Sequence, residues 1–156
     1  MVHIKWASIV GTSEEQESAL IVKKTHNISK IKRILDETFE EPWRWVDVII
    51  TVMLPTYTWY QVGDEAVCCI EHHCLRDHIA MLGVTPKYQR KGYGGLLMQE
   101  VFSGARKRGV KATLMVRESN PAREIYKHYG FAEKMKVEGY YRNGELGYYC
   151  EVLLTE

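Results

Sequence analysis

The stretch Gln-Arg-Lys-Gly-Tyr-Gly-Gly, residues 89–95, sets two basic side chains among three glycines before the chain turns apolar at Leu96 and Leu97. Glycines let a backbone approach a ligand closely, and basic residues favour an anion, so the stretch has the makings of a phosphate cradle. Two familiar phosphate loops fail to match. A P-loop requires Gly-Lys-Ser/Thr after four spacers, and Gly95 is followed by Leu96 and Leu97. A dinucleotide fingerprint requires glycine where Leu97 stands. A second chemical cluster is Cys-Cys-Ile-Glu-His-His-Cys, residues 68–74. On a strand it sets Cys68, His72 and Cys74 on one face and Cys69 and His73 on the other. It lacks the paired spacing of a zinc site, so no metal is expected. The four cysteines form no disulfide framework, and neighbouring Cys68 and Cys69 make poor disulfide partners.

The elements that must hold these residues follow from periodicity. Residues 19–24 read as a strand. Asn27 or Ser29 caps a helix with Ile28, Ile31, Ile34 and Leu35 on one face. Pro42 interrupts, and Val46–Val52 reads as a short helix. Residues 56–62 and 66–74 read as a hairpin about a Gly-Asp-Glu turn, and 78–85 is the next strand. The glycine-rich loop then opens a helix with Leu97, Val101, Phe102 and Ala105 inward, closed by Gly109 in a left-handed cap. Residues 111–117 are apolar on both faces, as in a central covered strand. Asn120 and Pro121 start a last helix that ends at Gly130. Two strands about Asn143-Gly144 finish the chain. The fold class is α/β in the mixed sense: a mixed sheet with helices on both faces.

Charge is balanced overall, at +1, which argues against a nucleic-acid partner. Its distribution is uneven. Residues 86–136 carry 12 Lys/Arg against 4 Asp/Glu, a net of +8 that leaves about −7 elsewhere. An anionic ligand on one side and a cationic one on the other would fit. No apolar run reaches the roughly 18 residues of a membrane span, and no signal peptide is evident, so no membrane and a cytoplasmic location are expected. At 156 residues one domain over 1–156 is expected, with residues 1–18 left unassigned.

A third loop pattern does match. Gln89-Arg90-Lys91-Gly92-Tyr93-Gly94 resembles the Gln/Arg-x-x-Gly-x-Gly/Ala loop of the GNAT N-acetyltransferase superfamily. Glu118-Ser119-Asn120-Pro121-Ala122, Ile125-Tyr126 and Tyr129-Gly130-Phe131 follow in the family's order. The resemblance spans roughly residues 19–154 and looks closest to the RimI-like branch, which acetylates protein N-termini. It implies a twisted, mostly antiparallel sheet with a splayed central strand pair, and acetyl-CoA as donor. Gln89, Arg90, Lys91, Gly92, Tyr93, Gly94 and Gly95 would hold the pyrophosphate. Leu82 and Val84 would hydrogen-bond the pantetheine arm, Gly83 would provide the freedom for a bulge, and Asn120 and Tyr126 would approach the arm and its sulfur.

The acceptor implied is a primary amine, of a protein N-terminus or lysine, or alternatively of a small amine or polyamine. A non-catalytic CoA-binding module is a further alternative. An amine must lose its proton to attack a thioester. RimI-like enzymes carry an ionisable residue on the strand before Ser-Asn, where this chain has Met115. In the histone acetyltransferase branch a Glu stands at the position of His78, so His78 is the candidate base. Glu71, His72, His73 and Asp77 are neighbouring alternatives. Tyr126 is the candidate acid for the leaving thiolate. Trp43, Tyr140 and Tyr141 match positions that line the acceptor groove, with Tyr57, Trp59 and Tyr60 as further candidates. Glu40, Glu41 and Asp47 would give its mouth negative charge. A monomer or homodimer is expected.

Overall fold

The computed structural model describes residues 20–154. Strand β1 (Val22–Lys24) leads into helices α1 (Ile28–Thr38) and α2 (Trp45–Met53). Strands β2 (Tyr57–Val62), β3 (Ala66–His72) and β4 (Arg76–Val84) follow. A 3-10 turn (Pro86–Tyr88) then leads to helix α3 (Tyr93–Arg108), strand β5 (Lys111–Arg117), helix α4 (Ala122–His128), and strands β6 (Ala132–Val137) and β7 (Gly147–Val152). This is the element order read from periodicity. Of the 19–24 strand, Ala19 lies outside the described residues.

The strands form one sheet in the order β1-β2-β3-β4-β5-β7-β6. Every neighbouring pair is antiparallel except β4 and β5. A parallel pair needs a long crossover, and α3 supplies it. Helix α3 buries Leu97, Met98, Val101 and Ala105 against Cys68, Ile70, Ile79, Leu114, Val116 and Cys150 on one sheet face. Full burial of each of its larger apolar side chains contributes about 1.5–3 kcal/mol. On the other face α1 and α2 bury Ile31, Ile34, Leu35 and Val48 against Trp59, Val67 and Cys69. Asn27 is the cap of α1; its side chain accepts from the Lys30 N–H at 3.0 Å.

Three sequence expectations need correction. The bulge on β4 falls at Ala80, because Cys69 opposes Met81 while Ile70 opposes Ile79. Gly83 pairs regularly with Val67. A Cβ on Gly83 would stand 3.2 Å from Phe39 Cε2 and 3.4 Å from Thr38, so glycine there lets the end of α1 lie against the strand. The Asn143-Gly144 pair does not join two strands directly. Gly139 and Gly144 both take positive φ, and β6 and β7 are joined by the loop 138–146, which carries Tyr140 and Tyr141. The third concerns β4, which begins at Arg76, two residues ahead of the expected start, with Asp77 buried.

Candidate active site

The loop before α3 is built to leave donors free. Arg90 (φ 60°) and Gly92 (φ 88°) are both left-handed, and Gly92 is the N-cap of α3. The first-turn N–H groups of Tyr93, Gly94 and Gly95 have no intrahelical acceptor, and a glycine cap has no side chain to take them. They lie at the positive end of the helix dipole, where an anion is favoured. Lys87 and Lys91 lie about the Tyr88 ring, at 5.6 and 5.1 Å from its centre. Among the described residues Lys87, Arg90 and Lys91 have no carboxylate within ion-pair reach. Arg108, Lys111, Arg117, Arg123 and Lys127 all do. Of the positive segment, the loop is therefore the part left with unneutralised charge, beside Arg106, Lys107 and Lys136.

Gly94 faces the strand that runs into the loop. A Cβ there would stand 3.8 Å from Leu82 Cδ2 and Val84 Cγ2. The Gln89 side chain donates to the Val84 carbonyl at 3.1 Å and ties the loop to the strand end. Beyond Ile79, which opposes Leu114, β4 and β5 no longer pair. β5 instead continues along β7 as far as Arg117 and Gly147. The bulge at Ala80 turns β4 away from β5, so the edge of residues 80–84 that faces β5 carries backbone groups without a strand partner. This is the splayed pair the resemblance implied. An extended chain with amide groups could add to that edge as another strand would.

On the α1/α2 face of the splay lies a groove of about 650 Å³, lined by Glu71, His73, Arg76, His78, Met115, Met135, Tyr140 and Tyr149. His78 and Met115 thus share one wall. His78 stands between Glu71 on β3 and Thr113 on β5, and its Nδ1 lies 2.9 Å from Thr113 Oγ1. In the tautomer whose Nδ1–H donates to Thr113 Oγ1, Nε2 keeps a free lone pair. Burial pulls the His78 pKa below its usual 6.5, the Glu71 charge partly opposes this, and Arg76 and His73 add to the lowering. The imidazole is therefore neutral at neutral pH, the state a base requires.

Tyr126 lies on the α3 face, edge-on to Phe131 at 6.0 Å. Burial pushes its pKa up to about 12. Among the described residues its hydroxyl has no hydrogen-bond partner. A phenol this weak is a poor match for full proton transfer to a thiolate whose own pKa is near 8.5. It remains a hydrogen-bond donor. The N-cap of α4 is Pro121, one residue later than the sequence suggested, and the Asn120 side chain just ahead of it accepts from the Ala122 N–H at 2.9 Å.

The aromatic candidates separate. Tyr140 is half exposed and lines the groove. Tyr141 packs on Tyr140, with ring centres 5.0 Å apart, and lies under the Arg117 guanidinium at 4.2 Å. Trp43 packs on the α1/α2 core. Trp59 is buried and donates from Nε1 to Thr51 at 3.2 Å, while Tyr60 points to the opposite sheet face, so neither reaches the groove. Tyr57 sits across from Glu71. The acidic mouth is largely neutralised: Glu41 pairs with Arg117 at 3.1 Å and Asp47 with Arg44 at 2.8 Å.

Sequence reasoning missed Arg117 and Arg76. Arg117 ion-pairs with Glu41 in the α1–α2 loop and with Glu145 in the β6–β7 loop at 3.5 Å, tying the α1–α2 loop to the loop that brings Tyr140 to the groove. Its position at the polar end of an otherwise apolar strand was the available signal. Arg76 falls between the strands expected at 66–74 and 78–85 and is part of neither. In the 68–74 run, Cys68 is fully buried, Cys74 is exposed beyond the end of β3, and His72 is held by Asp77 at 2.7 Å and Thr58 at 3.0 Å. Arg108 also bonds Asp77, so this network locks the end of α3 to the β3–β4 turn. No group of three metal-ligating side chains occurs among the described residues, and none of their helices is long and apolar enough to cross a membrane.

The fold is shared with solved acetyltransferase structures. Ard1 from Thermoplasma volcanium is 20% identical, with a TM-score of 0.78 over 88% of this chain and 99% of that one. The ribosomal-protein-S18-alanine N-acetyltransferase from Escherichia coli is 23% identical, with a TM-score of 0.78 over 87% and 94%. Arabidopsis thaliana Naa50, solved with the bisubstrate analogue CoA-Ac-MVNAL, is 19% identical, with a TM-score of 0.71 over 86% and 98%. Comparison with curated protein sequences finds none that matches. Residues 54–145, which run from the end of α2 through the splayed strands and the loop to the end of the β6–β7 loop, match the family described as acetyltransferase (GNAT) domain. With a match over more than half its length, the chain belongs to the GNAT acetyltransferase family.

Proposed function

We propose that this acetyltransferase moves the acetyl group of acetyl-CoA to the amine of a protein N-terminus or a lysine. The observation that carries the reading is the gap between β4 and β5. It has the phosphate-type loop at one side and an open groove at the other. A donor thioester and an acceptor amine could meet there without crossing the sheet. The groove's spread over β3, β4, β5, β7 and β6 and its Tyr140, Tyr149, Met115 and Met135 walls suit a peptide. The peptide-type ligand named for the Naa50 structure supports the same acceptor class.

In this reading His78 Nε2 takes the proton from the acceptor ammonium, directly or through one water. The neutral nitrogen attacks the thioester carbonyl. A backbone N–H on the unpaired edge of β4 donates to the oxygen that becomes negative. The C–S bond breaks, the thiolate leaves, and the Tyr126 hydroxyl donates a hydrogen bond to it. The product amide loses its remaining proton to solvent. Met115 contributes an apolar wall and no proton transfer.

A free-thiol assay of CoA release across N-terminal peptides, lysine peptides and polyamines tests the acceptor class. Release with peptides alone is expected. Release with polyamines alone would move the reading to small amines. Acetyl-CoA binding with no release for any acceptor would leave a binding module. Tyr126→Phe is expected to lower kcat about tenfold, the loss of one hydrogen bond to charge, with the KM for acetyl-CoA within about twofold of wild type. Steady-state kinetics with both substrates varied checks this. A loss of several hundredfold would restore Tyr126 as a true acid.

A further inference from the structure

The groove has a charged end that the proposed chemistry does not use. Arg76, two residues before His78 on β4, lines the groove, and its guanidinium makes no hydrogen bond or ion pair among the described residues. Its Nε is buried without a hydrogen-bond partner, and so is His73 Nε2, which also lines the groove. The carboxylates nearby are committed elsewhere. Glu151 pairs with Lys111 at 2.5 Å and lies 4.0 Å from Lys134. Glu71 lies beside the Tyr57 hydroxyl, and 3.4 Å from His73 Nε2 without hydrogen-bond alignment. Two buried nitrogens without an aligned hydrogen-bond partner in one groove are costly unless something supplies one. Arginine presents a planar fork that suits a carboxylate.

We propose that Arg76, with His73, binds an acidic side chain at the second or third residue of the acceptor peptide. The inference rests on the peptide reading above. Along a strand, Arg76 lies about 7 Å from His78 and about 13 Å from the bulge at Ala80. An amine placed between His78 and Ala80 therefore leaves Arg76 within reach of a carboxylate one or two residues further along the peptide. The amino acid's own carboxylate, a few ångströms from its amine, would fall short.

The test uses the full chain and peptides that carry Asp, Glu, Ser or Lys at positions two and three. Wild type is expected to show a KM about tenfold lower for acidic than for Ser peptides. Arg76→Gln should erase that difference by raising the KM for acidic peptides alone. Its kcat and its KM for Ser peptides should stay at wild-type values. The comparison is made at pH 8, because Arg76 also helps to lower the His78 pKa and its removal should shift the acid-side limb for every peptide alike. Arg76→Lys should keep part of the preference, and Arg76→Glu should turn it toward Lys peptides. Equal KM values for acidic and Ser peptides in wild type would overturn the inference while leaving the peptide reading intact. So would a uniform loss on all peptides in Arg76→Gln with an unchanged melting temperature. Absence of turnover with every peptide would overturn both.

Discussion

His78→Ala is expected to lower kcat/KM for a peptide acceptor about 100-fold at neutral pH, the low end of what a positioned base contributes. The pH profile separates loss of a base from damage to the wall. His78 titrates below 6.5, because burial outweighs the opposing Glu71 charge. The wild-type enzyme should therefore hold its kcat/KM as pH falls through 7 and lose it only below about 6.5, where the imidazole becomes protonated. Without His78, the acceptor must arrive already neutral. The acid-side limb should then move up to the α-amine's own pKa, near 8, with activity falling about tenfold for each pH unit below it. His78→Gln preserves size and a hydrogen-bond partner for Thr113, so it should stay folded and show the same displaced limb. A variant with wild-type rates and an unmoved limb would remove His78 from the chemistry. Glu71, across from it on β3, would then be the next candidate.

Much of this arrangement was legible in the sequence because it depends on local rules. The left-handed cap at Gly109, the start of a helix at Asn120-Pro121 and the both-sides-apolar strand 111–117 each follow from one residue's conformational preference or from side-chain period. What could not be read depends on how distant segments meet. The bulge at Ala80 is a register slip between β3 and β4, and alanine carries no signal for it. Gly83 was taken for the bulge because glycine suits one, whereas its reason lies in Phe39 and Thr38, more than forty residues earlier. Trp59 and Tyr60 are adjacent and aromatic, yet only sheet pairing decides which faces which helix. Arg117 joins Glu41 and Glu145, three residues with no common pattern in the chain. The glycine-rich loop is local and its shape was legible; the groove is assembled from β3, β4, β5, β6, β7 and the β6–β7 loop, and only single residues of it, such as His78 and Tyr140, could be named in advance.

Gly92→Asp is expected to weaken acetyl-CoA binding about 100-fold while leaving the fold in place. The site has room: a Cβ at Gly92 meets nothing within 4 Å. Its φ of 88° is left-handed, which Asp tolerates better than most residues at a cost of about 1 kcal/mol. Negative charge at a helix N-terminus returns roughly 0.3–1 kcal/mol, so the melting temperature should shift by only a few degrees. Binding should respond far more. The new carboxylate would sit at the free N–H groups of Tyr93, Gly94 and Gly95, answer the same dipole as a phosphate, and repel the phosphate's charge. Gly92→Ala separates strain from charge. It carries the left-handed penalty without the carboxylate, so it should melt lower yet bind the donor nearly as well as wild type. Calorimetric titration with acetyl-CoA beside thermal melts reads both quantities. Equal affinity losses in the Ala and Asp variants would make the loop's backbone shape, and not its field, the source of donor binding. Wild-type affinity in the Asp variant would place the pyrophosphate elsewhere. The charge reading also requires that added salt weaken donor binding in wild type more than in Gly92→Asp, since the variant has already lost the interaction that salt screens.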